Sequence, residues 1–403
     1  MLDIGMILDN SFPPDPRVVN EAQVLIRAGH RVHLFCLDYT GGTQPQEEDY
    51  QGLHVIRHPV SPRMRSISAL AYTLPFYHNL LAPPIEAFIH KHKIQILHVH
   101  DMQVVPAVQK ANRKTSLPLF IDLHENRPEI MKFYTHVNTL QGKLLIYPST
   151  WKKAEFRQIK EADAILVVTP EARDYYCEQI EVAKEKFVML PNTVHADFYE
   201  DAQPLEDIEA MTQGKFNLLY LGETGFRRGI MTVLQSLPML VDTIPNIQFV
   251  IVGKSVADAT YKAFVKEKGL EVHVRFEGWQ DVARFPSYIL ASQICVSPIH
   301  RNIHHDTTYA NKIFQYLSLG KPILVSDATA QANIALDHNC GLVHRAEDAK
   351  EFADKVLQLY KDPAQQMEMG QKGQDFVRNS FTWLHTSQGL VQLYADWEEK
   401  INS

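Results

Sequence analysis

Short apolar runs alternate with longer amphipathic stretches along all 403 residues, and this pattern constrains the fold more than any other feature. In the first half, Ile4–Leu8, Val32–Leu37, Ile94–Val99, Leu119–Leu123, Ala164–Val168 and Phe187–Leu190 read as short buried strands, with helical stretches such as 16–28 and 104–114 between them. In the second half, strands are expected at Phe216–Leu221, Gln248–Val252, Val272–Phe276, Ile294–Val296 and Ile323–Val325. Alternation of this kind builds parallel sheets covered by helices on both faces. It occurs in two sets, and 403 residues exceed one ordinary core. The fold class expected is therefore α/β, with two doubly wound Rossmann-like domains and a cleft between them.

The boundaries expected are 1–200 for the first domain and 201–380 for the second, joined near the acidic stretch 200–215. Residues 381–403, FTWLHTSQGLVQLYADW and the tail, form a helix whose apolar surface needs cover. The first domain is the expected partner.

Composition excludes several classes. The net charge is -7 and neither half is basic, so nucleic acid is not an expected partner. Cys36, Cys177, Cys295 and Cys340 are widely spaced and read as reduced packing residues. No apolar run is long enough to span a bilayer, and a cytoplasmic protein, at most attached to the inner membrane face, is expected. No GxGxxG follows the first strand, and GxxxxGK[ST], GxSxG and Asp-x-Asp are absent.

Loops at strand carboxyl ends carry the candidate chemistry. Gly222 ends a strand and opens GETGFRRG, where Arg227 and Arg228 could meet an anion together with backbone amides. His124 closes Asp122-Leu123-His124-Glu125 and could hold a substrate hydroxyl or simply sit satisfied at an interface. His98 and His100 flank Val99 and are taken to face opposite sides of their strand, with His100-Asp101 favoured for the cleft. His300, His304 and His305 lack the companions of a usual zinc set, and read better as a polar loop wall. Asn192 ends a strand at a turn. The stretch Asp306–Asp327, DTTYANKIFQYLSLGKPILVSD, predicts a helix over Thr307–Leu319 whose amides at its start suit a phosphate.

In this order the segments resemble the GT-B glycosyltransferases of the retaining GT4 family. DPRVVNEAQVLIRAGHRVHLFCLD (15–38), ADAILVVTPEARDYY (162–176) and VMLPNTVHADF (188–198) are similar to its first domain. YLGETGFRRG, VIVGKS, VRFEGWQD, VSPIHRN and NKIFQYLSLGKPILVSD follow in the order of its second. The resemblance implies a nucleotide-sugar donor on the C-terminal domain, a glycan or lipid-linked acceptor on the N-terminal one, and no metal or other cofactor. It assigns the donor to Gly222, Arg227, Arg228, Asp306, Thr307, Thr308, Tyr309, Ala310, Lys312 and Gln315. Arg228 would contact the diphosphate and His124 would act beside the transferred sugar. Pro14, Arg17, His100 and Asp101 would form the acceptor and phosphate loops.

Two departures accompany it. Where the family usually has two glutamates eight residues apart, this chain has Thr307 and Gln315, and Asp306 is the neighbouring acid. Glu223 stands where an arginine is usual, a cost unless it points away or pairs with Arg227. The reaction implied is hexose transfer to a hydroxyl with retention of configuration. The alternatives are an inactive homologue acting as a scaffold, or a sugar-nucleotide epimerase using Glu125 or Glu129. Arg57, Arg63 and Arg65 before an apolar stretch, with Lys143, Lys152, Lys153 and Arg157, read either as a peripheral membrane surface or as the solvated edge of a packed helix.

Overall fold

The computed structural model describes the chain except Pro14, Thr135, His136 and Asn138, and the side chains of Arg65, Ser66, Gln141 and Lys143. It divides into two compact units, Met1–Pro191 with Ser387–Ser403, and Asn192–Thr386.

The first unit is built on an eight-stranded sheet of β1 (Asp3–Ile7), β2 (Arg31–Asp38), β3 (Glu47–Tyr50), β4 (Leu53–Pro59), β5 (Ile96–His100), β6 (Leu119–Leu123), β7 (Ala164–Val167) and β8 (Phe187–Met189). Their order is β3-β4-β2-β1-β5-β6-β7-β8, parallel except for β3 against β4. β1, β5 and β6 are buried throughout, which is why they appear in the sequence as unbroken apolar runs. β3 and β4 were not expected. Their residues, EEDY and LHVIRHP, alternate between covered and solvent-facing positions at the sheet edge, so no apolar run marks them.

The chain winds outward from β1 to β4 and then resumes at β5 on the other side of β1. In such a sheet the ligand site lies beyond the strand carboxyl ends at this reversal. The helix Pro16–Arg27 starts there, capped by the Asp15 carboxylate, which accepts from the Val18 amide, and its proline falls in the first turn. Its buried stripe is Arg17, Val18, Glu21, Ala22 and Leu25, so two charged side chains one turn apart enter the interior. The helix Gln388–Asn402 packs on this unit, with Tyr394 fully buried edge-on to Phe120 at 5.3 Å.

The second unit has six parallel strands, β9 (Phe216–Leu221), β10 (Ile247–Val252), β11 (Val274–Gly278), β12 (Ile294–Ser297), β13 (Ile323–Ser326) and β14 (Gly341–His344), in the order β11-β10-β9-β12-β13-β14. Its reversal lies between β9 and β12. The loops leaving these strands touch closely: a Cβ at Gly229, whose φ is 73°, would lie 1.7 Å from the Pro298 carbonyl oxygen. No other residue fits there. Both sheets are thus of the expected doubly wound type. Among the described residues no helix is long and apolar enough to cross a membrane, and all four cysteines are free.

Candidate active site

Seven side chains from β5, β6, the turns that follow them and the start of the helix Pro16–Arg27, with Tyr394 behind them, form one network. Arg17 Nε and Nη2 donate to Asp122 Oδ2 and Oδ1 at 2.7 and 2.6 Å, and Nη1 donates to the Leu190 carbonyl at 3.0 Å. Arg17 Nε also lies 2.9 Å from Glu21 Oε1. His124 Nε2 meets Asp122 Oδ2 at 2.7 Å, and its Nδ1 is 3.9 Å from Asp101 Oδ2. His100 Nδ1 is 3.3 Å from the same Asp122 oxygen and 3.2 Å from His124 Nε2. Behind it, His98 links Glu21 Oε2 at 3.2 Å to the Tyr394 hydroxyl at 2.8 Å.

His98 and His100 face the same side of β5, with their rings stacked at 4.8 Å. The expectation of opposite faces was wrong, because positions two apart on a strand share a face. Both are fully buried.

The electrostatics follow from which charges are paired. Burial opposes ionisation of Asp122, but Arg17, His124 and hydrogen bonds from both histidines outweigh it and hold the carboxyl well below its usual range. Burial also opposes charge on His124; here the Asp122 and Asp101 carboxylates win and raise it to about 9. The imidazole is therefore a cation at neutral pH. Glu21, buried beside the already ionised Asp122, is pushed up to about 8 and is neutral, while burial takes His98 down to about 4. One arginine and one imidazolium thus face Asp122 and Asp101. Asp101 sits in the left-handed region at φ 62°, a conformation aspartate tolerates, with its amide donating to the Asp122 carbonyl at 2.9 Å.

Arg17, His100, Asp101 and His124 are thereby brought together. Pro14 lies outside the described residues. Asp122, Glu21 and Tyr394 were not singled out from sequence, and His98 was set aside there as facing away from the cleft. Asp122 was marked by a charge inside the buried run FIDL, and Glu21 by its place one turn after Arg17 on the apolar stripe.

In the second unit Gly222 ends β9, and the short 3₁₀ turn Phe226–Arg228 follows. Glu223 Oε2 pairs with Arg228 Nε at 3.0 Å, and its Oε1 accepts from the Gly225 amide at 2.7 Å. The acid is therefore held by Arg228. The Arg227 carbonyl accepts from the His300 amide at 2.9 Å, tying this loop to the one after β12. Lys312 Nζ lies over the Tyr220 ring, 3.5 Å from its centroid. Burial first, then Arg228, pull its pKa well below the usual lysine range. His304 and His305 are buried and driven to about 3 and about 4 by burial and by each other or by nearby Arg227 and Arg228. Arg228 and Lys312 are therefore neighbouring basic groups beside Glu223, and an anion bound there would ease their mutual repulsion.

The expected helix start needs correction. The helix covers Lys312–Ser318, not Thr307–Leu319, because a separate turn, Ile303–Asp306, precedes it. The Thr307 and Thr308 hydroxyls donate back to the Ile303 and His304 carbonyls at 2.7 and 2.6 Å, closing that turn. The amides of 307–310 are thus not the first turn of a helix. Asp306 Oδ1 accepts from the Thr329 amide at 2.8 Å and pairs with Arg301 at 3.2 Å, so it is not an unoccupied replacement for a missing glutamate. Tyr309 packs edge-on to Phe314. Ala310 and Gln315 are half-buried.

Residues 17–198 match the profile of glycosyltransferase family 4, and residues 203–376 that of the group 1 glycosyl transferases. The chain is a glycosyltransferase of the GT-B fold. A phosphatidyl-myo-inositol mannosyltransferase from Mycobacterium leprae is 24% identical over 97% of this chain and 96% of its own. Other curated relatives are matched over about half their length (49%). In fold, the chain is similar to sucrose-phosphate synthase from Thermosynechococcus elongatus, with a TM-score of 0.77 at 18% identity over 99% of this chain and 100% of that one. It is also similar to Anabaena HepE in complex with UDP-glucose, with a TM-score of 0.68 at 11% identity over 98% and 100%. Glycosyltransferases of this kind act on nucleotide sugars and require no metal cofactor.

Proposed function

We propose that this enzyme moves a hexose from a nucleoside diphosphate to an acceptor hydroxyl with retention of anomeric configuration. The observation that carries the reading is the state of His124. With Nε2–H committed to Asp122 and the ring a cation, it has only Nδ1–H to offer. It can donate to a sugar hydroxyl, but it cannot accept the acceptor's proton. The leaving phosphate oxygen takes that proton as the anomeric C–O bond to phosphate breaks and the new bond to the acceptor oxygen forms. Arg228, Arg227 and Lys312 stabilise the charge that accumulates on the departing diphosphate. Glu223 pairs with the Arg228 guanidinium, and Gln315 is assigned to the ribose.

The test is donor turnover by Arg228→Ala and His124→Gln across UDP-, GDP-, ADP- and TDP-sugars. Loss of about 100-fold or more in kcat for each, with the fold intact, is expected. Near-normal turnover by either variant removes that residue from the mechanism.

A lipid-linked acceptor is favoured by one surface of the first unit. Leu74, Phe76 and Leu80 are exposed, as are Leu140, Leu144, Leu145 and Tyr147, and the Thr73 hydroxyl donates to the Leu145 carbonyl at 2.7 Å, bringing the two segments together. Lys153 and Arg157 on the following helix are exposed as well. Arg57, by contrast, is buried against Glu48 and the Phe12 and Pro45 carbonyls, and Lys152 is engaged by Glu155 and Asn126. Apolar contact, more than a basic stripe, would drive attachment. Co-sedimentation with phosphatidylglycerol vesicles, weakened by Leu140→Ser and Leu144→Ser together, is expected; no co-sedimentation at low salt rules out this acceptor surface.

A further inference from the structure

We propose that the first unit carries a structural metal site, in which His33, His54 and His92 bind a zinc-type divalent cation. His33 and His54 are register partners on the parallel strands β2 and β4, so both rings leave the same face of the sheet. His92 follows the helix Phe76–Lys91 and ends it, just before the chain turns through Lys93 at φ 53° to enter β5. The three ring centroids are 5.4, 5.1 and 5.1 Å apart, a nearly equilateral triangle. One ring nitrogen from each histidine lies within 4.8 Å of the others.

The two strand histidines face each other Nδ1 to Nδ1 at 3.2 Å. Zinc–nitrogen bonds of about 2.0–2.1 Å in a tetrahedron place two ligand nitrogens about 3.3 Å apart, so these two are already at ligand spacing. Their outer nitrogens meet carboxylates, His33 Nε2 with Asp3 Oδ1 at 3.2 Å and His54 Nε2 with Glu47 Oε2 at 3.5 Å. That carboxylate–imidazole pairing fixes the tautomer and strengthens the donor at metal sites. His92 adds an independent sign: its Nε2 is buried with no hydrogen-bond partner. A single N–H···N bond between two neutral imidazoles would explain His33 and His54, but not the third ring converging on them.

Asp3 and Glu47 also pair with Arg31 and Lys91, so affinity must come from the imidazoles and not from net charge. Imidazole donors suit zinc, copper or nickel better than magnesium or calcium. The other convergent set, Glu21, His98, His100 and Asp122, is already filled by the Arg17 guanidinium. The proposed site lies at the opposite end of the sheet from His124, near the starts of β2 and β4. It joins two strands to the end of a helix and takes no part in transfer. It is independent of the donor and acceptor assignments above.

The test is titration of the full, untagged, chelator-stripped protein with cobalt and then zinc. One equivalent of cobalt should give the visible band of a tetrahedral ion, which zinc displaces, and zinc should raise the melting temperature. His54→Ala and His92→Ala should each abolish the band and the shift. Asp3→Asn should weaken zinc binding by about 10–100-fold, and His90→Asn, at an exposed position, should leave band and shift unchanged. The proposal is overturned if wild-type protein at micromolar concentration shows neither band nor stoichiometric binding. It is equally overturned if the band survives in both ligand variants or disappears in His90→Asn. The wild-type spectrum decides even if one variant fails to fold.

Discussion

Asp122→Asn removes one charge and almost no volume, and the network around it fixes what should happen. In the native protein Asp122 and Asp101 hold His124 at about 9 against an ordinary value of 6.5. Holding the ring there corresponds to roughly 3 kcal/mol of added preference for its protonated form. A folded-state pKa raised above the unfolded one gives stability that is complete below pH 6.5 and lost as the pH climbs through 9. Breaking a buried Arg–Asp pair costs about 3–5 kcal/mol when the arginine is left alone. Here it is not alone. Glu21 is kept neutral partly by the charge of Asp122, so in the variant it should ionise and pair with Arg17 at the 2.9 Å contact already present. The net penalty at pH 7 should therefore be about 3 kcal/mol, below the sum of the two losses, and should shrink above pH 9, where wild-type His124 is neutral. Carbon-edited proton NMR of the histidine Cε1–H groups, followed over pH 5.5–10, reads the first quantity; urea unfolding at pH 7 and pH 10 reads the second. We expect the His124 midpoint to fall from near 9 to below about 7.5 in the variant. A wild-type midpoint near 6.5, or one unmoved by the substitution, refutes the argument that Asp122 makes His124 a cation.

Three further outcomes are expected. Gly229→Ala should cost about 3 kcal/mol or more in thermal unfolding, since the added carbon meets the Pro298 carbonyl at 1.7 Å and φ is 73°; a neutral substitution would mean the two loops are not in contact. Lys312→Met, which removes a basic group held beside Arg228, should weaken nucleoside diphosphate binding by about tenfold, as measured by calorimetry; unchanged binding would remove Lys312 from the donor site. Glu223→Gln, which leaves Arg228 without its acid, should tighten nucleoside diphosphate binding by several-fold, roughly 1 kcal/mol, as measured by calorimetry; weaker binding would show that the pair positions Arg228 more than it opposes the anion.

How much was legible in the sequence depended on whether one interaction or several decided each element. β1, β5 and β6 bury both faces, so their apolar runs announced them. β3 and β4 lie at the edge, where half the positions are polar and pairing alone makes the strand. Residues 307–311 are read from sequence as the helix start, but the Thr307 and Thr308 hydroxyls bond back to the preceding turn and the helix begins only at Lys312. The loops bearing Arg228 and His124 were visible because a doubly wound sheet gathers its strand-end loops at the reversal. The charge state of His124 was not, because it depends on Arg17, Asp122 and Asp101, spread over more than 100 residues and joined only by the fold.

The most direct test of the whole account is the anomeric configuration of the first product formed from an α-linked nucleotide hexose, read by proton NMR before mutarotation or further transfer. Retention, seen as an α-linked product with no metal added, is the result expected. A β-linked product contradicts it, because inversion needs a side-chain base, which an already protonated His124 cannot be.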